Sequence, residues 1–555
     1  MSARHLVIGL DGADLRLIHT FGRRRLPALF QLMERGVTSA QRSVQPPATL
    51  PNWTTFLTAV NPGVHGVFDF TTRHGYRVRF DGGSVRAVPT WLARLDAAGE
   101  ACASVGFPGT YPPERLRHGL CISGWDAPVS FEADASFVWP RALYAQLTRH
   151  FGALSFDEVN QFRADEPFWH DTLGDRLAAK IARRTQLAEH LLAMRRWHTF
   201  AFYFGESDTA SHYLYSLFDD DSPRRPAQVS AAAAAGLERV YEALDRAVGQ
   251  LVQQAGDAAE ITIISDHGSG GASDQVLYLN RALASLGFLA WKPTHPGRPL
   301  AERLKAFALG HLPPRLRQAV FRAGGTALPS WLESRVRFGA IDMRRTRAFS
   351  DELNYFPGVY LNQRGREPRG VVAPEQREQV LHQLTAALRT LRCPNTQLPL
   401  VTEVWPREAL FEGPFLARAP DLLLELATPR GYALNLQPSA SAAAGGQFLG
   451  RLAPHEYLGK KGRSLPGSHR PHGLYIAAGP QVRARGRIEL GIEDSAVITL
   501  ARMGLGAPAD SRGRVPDGML HRGELHALAE APVQLPKAQT HAGVIDRLRA
   551  LGYVD

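Results

Sequence analysis

The feature that most limits the fold of this chain is a set of eight short apolar runs bounded by Gly, Asp or Ser. They are His5–Leu10, Ala101–Phe107, Leu120–Trp125, His198–Gly205, Ile261–Ser265, Gly358–Asn362, Asp421–Leu426 and Gly473–Gly479. Runs this short and this uniformly apolar read as strands buried on both faces, the habit of parallel sheets. Helical patterns such as "GLERVYEALDRAVGQLVQQAG" and "REQVLHQLTAALRTL" lie between them. The alternation predicts an α/β protein of three layers, a large, mostly parallel central sheet with helices on both faces.

The rhythm breaks between Trp291 and Phe338, where "LAERLKAFALGHLPPRLRQAVFRAGG" is basic and amphipathic. This reads as a helical insertion, either a lid or membrane-facing surface or an excursion packed on the side of the sheet. The expected division is a catalytic core over 1–290 and 339–535, the insertion over 291–338 and a closing helix over 536–555. The stretch "SASAAAGGQ" from Ser439 reads as a flexible loop.

Composition narrows the function. The 555 residues are 44% hydrophobic and 21% charged, as in a globular protein. The net charge of +11 is spread along the chain with acidic residues interleaved. With no Lys/Arg tail, zinc-finger spacing or RNP-type motif, it points to a small anionic substrate or a phospholipid surface and away from a nucleic-acid-binding module. Three cysteines without a CxxC pair argue against a disulfide framework. No segment reaches the ~20 apolar residues of a transmembrane helix, and the N-terminus lacks a secretory pattern. The expectation is a cytoplasmic protein.

Four segments carry chemistry. In "LVIGLDGAD", Asp11 follows a strand and Gly12 permits a sharp turn; Asp-Gly is also an ordinary turn. In "FAFYFGESDTASH", Asp208 and His212 follow another strand and are four apart, so a helix places them on one face. In "EITIISDHGSGG", Asp266 and His267 stand directly beyond a buried strand, a costly place for two polar residues unless they bind something. In "LPGSHRPHGLYIAAGP", His469 and His472 flank Arg470 and precede their strand. They reach the same sheet edge only if that strand runs antiparallel or its loop folds back. His469 is favoured over His472, which abuts the strand. Asp11, Asp208, His212, Asp266, His267 and one late histidine make six ligands, enough for two divalent ions with open positions, the usual clamp for displacement at phosphorus.

A fifth segment, "PPATLPNWTTFLTAVNPGVHG", supplies a nucleophile. Pro51 fits a first helical turn, and Trp53, Phe56, Leu57 and Val60 form its inward stripe. Thr49 then lies just ahead of the helix start, where free N–H groups attract anions. A capping threonine is the plain alternative. His65 reads as a structural residue ordering the turn after this helix.

In this order the motifs resemble the alkaline phosphatase superfamily, in particular its type I phosphodiesterase/nucleotide pyrophosphatase branch and related predicted phosphohydrolases. The residues concerned are Asp11-Gly12, Thr49-Leu50-Pro51-Asn52, Pro62 to Gly66, Asp208 with His212, Ser265 to Gly268, and Gly467-Ser468-His469. The resemblance implies an alkaline-phosphatase-like fold and two divalent metals, zinc with manganese or iron as options. Asp208, His212 and His469 would hold one ion; Asp11, Asp266 and His267 would hold the other, with Thr49 bound to it as nucleophile. A phospho-threonine intermediate would form, and water would resolve it. The implied activity is phosphodiester hydrolysis of a small anionic phosphoester. The alternatives are a phosphomonoesterase, a phosphotransferase, or a non-catalytic scaffold retaining the fold. Where nucleotide pyrophosphatases carry a phosphate-binding Asn beyond the His-Gly, this chain has Phe70 beside Asp69. Phe70 and Arg470 are therefore the candidate substrate contacts, with Arg73 also close in sequence. No cysteine lies in the C/S-x-P-x-R motif of sulfatases.

Overall fold

The structure, a computed structural model, describes residues 3–80, 86–124, 135–152, 154, 166, 168–293, 337–353, 355–439, 446–459 and 464–521. Nearly all of the expected insertion, the closing helix 536–555 and most of the Ser439–Gln447 loop lie outside these residues.

The first strand, Ala3–Leu10, sits in the middle of a nine-stranded sheet. On one side it pairs in parallel with Trp197–Phe204, followed by Cys102–Val105 and Leu120–Ile122, also parallel. On the other side it pairs in parallel with Glu260–Ile264. Beyond that, Tyr475–Ala478 runs antiparallel, the orientation needed to bring the late histidine segment to the same edge.

Both faces of this sheet are covered, which explains why the strands are apolar without alternation. Leu6, Ile8 and Phe202 pack into one core with Leu173, Val240 and Leu244 of the helices Trp169–Ala193 and Gly236–Ala255. Val7, Tyr203 and Ile264 pack into a second core with Trp53 and Phe56 of the helix Thr49–Thr58 and Ile498 of Ile492–Arg502.

Two of the eight runs belong elsewhere. Gly358–Leu361 and Leu422–Leu426 pair antiparallel with each other, and with Ala348–Phe349 and Val401–Pro406 form a separate four-stranded sheet. They are apolar because they have their own core, with Leu384 and Leu388 of the helix Arg377–Arg389 on it. An apolar run reports burial on both sides and says nothing of which sheet it joins. A third sheet is built on Gly268–Leu277, whose start pairs antiparallel with Gly467–Arg470 in a register that sets Ser269 opposite His469.

Candidate metal centre

Asp11, Asp208, Asp266 and His267 all lie beyond the carboxyl ends of parallel strands, where open α/β sheets gather their functional groups. Gly12 makes the turn after the first strand at φ +63°, and a Cβ there would sit 3.0 Å from Asp208 Oδ1. Glycine is required for both reasons.

The Asp11 carboxylate is held by one oxygen. Its Oδ2 accepts from Trp53 Nε1–H at 3.0 Å and from the Tyr203 hydroxyl at 2.6 Å. Its Oδ1 is buried with no hydrogen-bond partner and lies 3.5 Å from His267 Nε2. Asp266 repeats the arrangement. Oδ1 accepts from Gly12 N–H, and Oδ2, buried and without a hydrogen-bond partner, faces His267 Nε2 at 3.2 Å.

The histidines show what these oxygens face. His267 Nδ1 lies 3.0 Å from the carbonyl of Gly268, His469 Nδ1 2.8 Å from that of Pro47, and His212 Nδ1 3.1 Å from that of Gly467. A carbonyl can only accept, so each Nδ1 carries the proton and each Nε2 presents a bare lone pair. Those lone pairs converge. His212 Nε2 is 3.1 Å from His469 Nε2, and both lie within 3.5 Å of Asp208 Oδ1. The His267 and His469 rings stack at 3.6 Å. Ligand atoms of Asp11, Asp266 and His267 lie within 4.8 Å of one another, as do those of Asp208, His267 and His469. Lone pairs and carboxylates crowded this closely in a buried site repel unless cations or protons lie among them. The nitrogen and oxygen donor set fits zinc, manganese or iron.

Protonation behaviour carries the same signature. Burial, and then the charge of Asp208, pushes Asp11 up to about 8. Burial and Asp11 likewise raise Asp266 well above the usual carboxylate range. Burial drives His267 down to about 3 and, with His267 and His212 nearby, drives His469 well below its ordinary value.

Thr49 faces this cluster, its Oγ1 3.4 Å from His267 Nε2. It is the first residue of the helix, with Ala48 as N-cap, and its hydroxyl makes no capping bond. The expectation placed it just ahead of the helix; the helix in fact begins two residues before Pro51, which still lies in its first turn. Asn52 accounts for the spacing of the motif. Fully buried, its amide donates to the carbonyls of Pro46 and Ala48 and accepts from Val44 N–H, fixing the chain that leads into Thr49. His65 accepts from Val67 N–H on Nδ1 and lies 3.0 Å from Thr55 Oγ1, so it ties the following turn back to the helix.

The two expected substrate contacts lie apart from the converging side chains. Arg470 points away from the cluster and donates to the carbonyls of Gly271 and Gly431. Side chains alternate along a strand, so with His469 facing the site its neighbour faces away. Phe70 is buried, 4% exposed. His472 is exposed. Tyr355, which no spacing marked, stacks on His469 with ring centroids 3.8 Å apart and places its hydroxyl 3.3 Å from His212 Nδ1.

A family model described as type I phosphodiesterase/nucleotide pyrophosphatase matches residues 5–439. The chain belongs to this family. The matched span contains Asp11, Thr49, Asp208, His212, Asp266 and His267, and His469 follows it. Phosphonoacetate hydrolase from Sinorhizobium meliloti 1021, solved with phosphonoformate, shares the phosphodiesterase fold of this chain at a TM-score of 0.52 and 15% identity, over 90% of this chain and 96% of that one. Human ectonucleotide pyrophosphatase/phosphodiesterase 5 aligns with a TM-score of 0.46 at 13% identity, over 92% of this chain and 97% of that one. No curated protein sequence matches the chain.

Proposed function

We propose that this family member is a two-metal phosphodiesterase with Thr49 as its nucleophile. One observation carries the reading: three histidine Nε2 lone pairs and three carboxylates converge beside a helix-start hydroxyl that caps nothing. When bound, two divalent ions, zinc or else manganese or iron, supply Lewis acidity and make the Thr49 proton easier to lose. Asp208, His212 and His469 would hold one; Asp11, Asp266 and His267 would hold the other. Thr49 Oγ1 attacks phosphorus, the ester alcohol leaves, and the phospho-threonine is then hydrolysed by water. The first-turn N–H groups of Thr49 and Leu50 have no helical acceptor and face an anion favourably. Trp53 and Tyr203 hold Asp11 so that one oxygen stays aimed inward.

The engagement of Arg470 by backbone carbonyls favours a monoanionic diester over a dianionic monoester, which needs a guanidinium clamp. The cytoplasm is part of this proposal. Cys102, Cys121 and Cys393 are buried and unpaired, and among the described residues no helix is long and apolar enough to cross a membrane.

Thr49→Ala tests the proposal. Hydrolysis of bis-(p-nitrophenyl) phosphate by the metal-reconstituted protein is expected to disappear while circular dichroism is retained. Unchanged turnover removes Thr49 from its role.

A further inference from the structure

Tyr355 touches two of the candidate ligands, and they come from different elements. His212 lies on the helix Glu206–Phe218 and His469 on the strand Gly467–Arg470. The Tyr355 ring is tilted 9° from the plane of His469 at a centroid separation of 3.8 Å, and its hydroxyl oxygen is 3.3 Å from His212 Nδ1. His267 stacks on His469 as well, at 3.6 Å and 20°. Two rings this close and this parallel to a third cannot share one of its faces. His469 is therefore sandwiched between His267 and Tyr355.

Anchors stand on both sides of Tyr355 in the chain. Glu352 is buried at φ +52°, a backbone that a non-glycine residue keeps only where its surroundings hold it. Its carboxylate accepts from Asn280 N–H at 2.8 Å, and from Ser439 N–H and the Ser439 hydroxyl at 2.6 and 2.5 Å. Phe356 is buried in a cluster with Phe68, Phe411 and Leu423.

We propose that Tyr355 is a positioning residue for the ion of the Asp208, His212 and His469 group, holding His469 by its ring and His212 by its hydroxyl. This rests on the two-metal reading. The phenol oxygen is a second acceptor for His212 Nδ1–H, beside the Gly467 carbonyl at 3.1 Å. An acceptor there fixes the tautomer that leaves Nε2 bare and makes that nitrogen a better ligand. The stack fixes the plane of His469, and so the direction of its Nε2 lone pair. It also favours the loaded state. An imidazole that gives its lone pair to a cation becomes electron-poor, and an aromatic face attracts such a ring more strongly. Tyr355 does for these two histidines what Trp53 and Tyr203 do for Asp11. Both contacts are with ligands of one ion, so that ion should feel its loss.

The test dialyses the full-length protein against zinc held at a series of free concentrations by chelator buffers, with bound zinc read by atomic emission. In Y355L, shown folded by circular dichroism, one of the two ions is expected to bind about 10–100-fold more weakly while the other keeps its affinity. Y355F keeps the ring and loses the hydroxyl, so a smaller loss of about 2–10-fold is expected. In a chain carrying D208N and H469A, which lacks the ion in question, adding Y355L should leave zinc binding unchanged. Wild-type affinity for both ions in Y355L overturns the inference and leaves the two-metal reading standing. Equal weakening of both ions, or a loss that persists in the D208N and H469A background, does the same, since a merely structural tyrosine would act that way. Unchanged affinity in Y355F also overturns it, whether or not Y355L folds. A wild-type protein that binds less than one ion overturns the reading and the inference together.

Discussion

Arg184 is a demanding place to perturb this protein. It lies on the long helix Trp169–Ala193 with its side chain fully buried. It donates to Glu206 Oε1 at 2.9 Å and to the Tyr203 carbonyl at 2.6 Å. Lys180, one turn earlier, approaches the same Glu206 oxygen at 3.4 Å. R184M replaces the guanidinium by an apolar chain of similar length and leaves a buried carboxylate with Lys180 as its charged partner. Breaking a buried pair from one side costs about 3–5 kcal/mol, and the remaining lysine keeps the expected loss near the lower end. Adding E206Q takes the charged partner from the nearly buried Lys180 as well, so the double variant should recover little of the loss. Urea unfolding at matched pH and metal concentration reads both values. The same bonds join the two halves of the candidate metal centre. Tyr203 holds Asp11, Ser207 donates to the Asp11 carbonyl, and Asp208 follows on the helix that Glu206 begins. Metal affinity in R184M should therefore drop by about 10–100-fold, the usual effect of disturbing groups behind the ligands. A stability loss under about 1 kcal/mol, or a double variant restored to wild-type stability, would refute the reasoning.

Asn52→Ala removes the amide that fixes the approach to Thr49; it should cost about 1–3 kcal/mol for each buried backbone group left unmatched and lower kcat more than it raises KM, read by steady-state kinetics with bis-(p-nitrophenyl) phosphate. His65 is held neutral, pushed down to about 3 by burial and by Arg86, against an ordinary value of 6.5. The unfolded chain binds a proton in that window and the native ring does not, so stability should fall as pH drops from 6.5 toward 3. His65→Gln should flatten that part of the pH profile of urea midpoints. Without a cation, Asp11, raised to about 8, is largely protonated at neutral pH, so metal binding there should release protons. Calorimetry in buffers of different ionisation enthalpy measures that release, and a buffer-independent heat would contradict it.

The strands that end at the candidate metal centre were legible because each closes an apolar run with a polar residue that burial penalises unless it is matched. Asp11, Asp266 and His267 stand out for that reason, and Asp208 with His212 gains from helical spacing. Family resemblance joined them into one site. The direction of Tyr475–Ala478 followed from the need to bring a preceding histidine to the shared edge. What could not be read depended on partners far along the chain. Trp53 and Tyr203 look like core residues, yet each donates to Asp11 through the one polar atom of its side chain. Tyr355 comes from a loop of the separate antiparallel module, with no periodicity to announce it. Arg470 lies next to His469 in sequence but on the opposite face of their strand, where it donates to the carbonyls of Gly271 and Gly431. Asn52 was matched as part of a motif, but its hold on residues 44–48 emerges only from the fold.

The most direct measurement is metal stoichiometry. After equilibrium dialysis of the full-length protein against zinc or manganese, atomic emission should find two ions per chain. A chain carrying D208N and H469A should bind one, because the Asp11, Asp266 and His267 group is left intact. Less than one equivalent in the wild type, or two equivalents retained in the variant, would contradict the account.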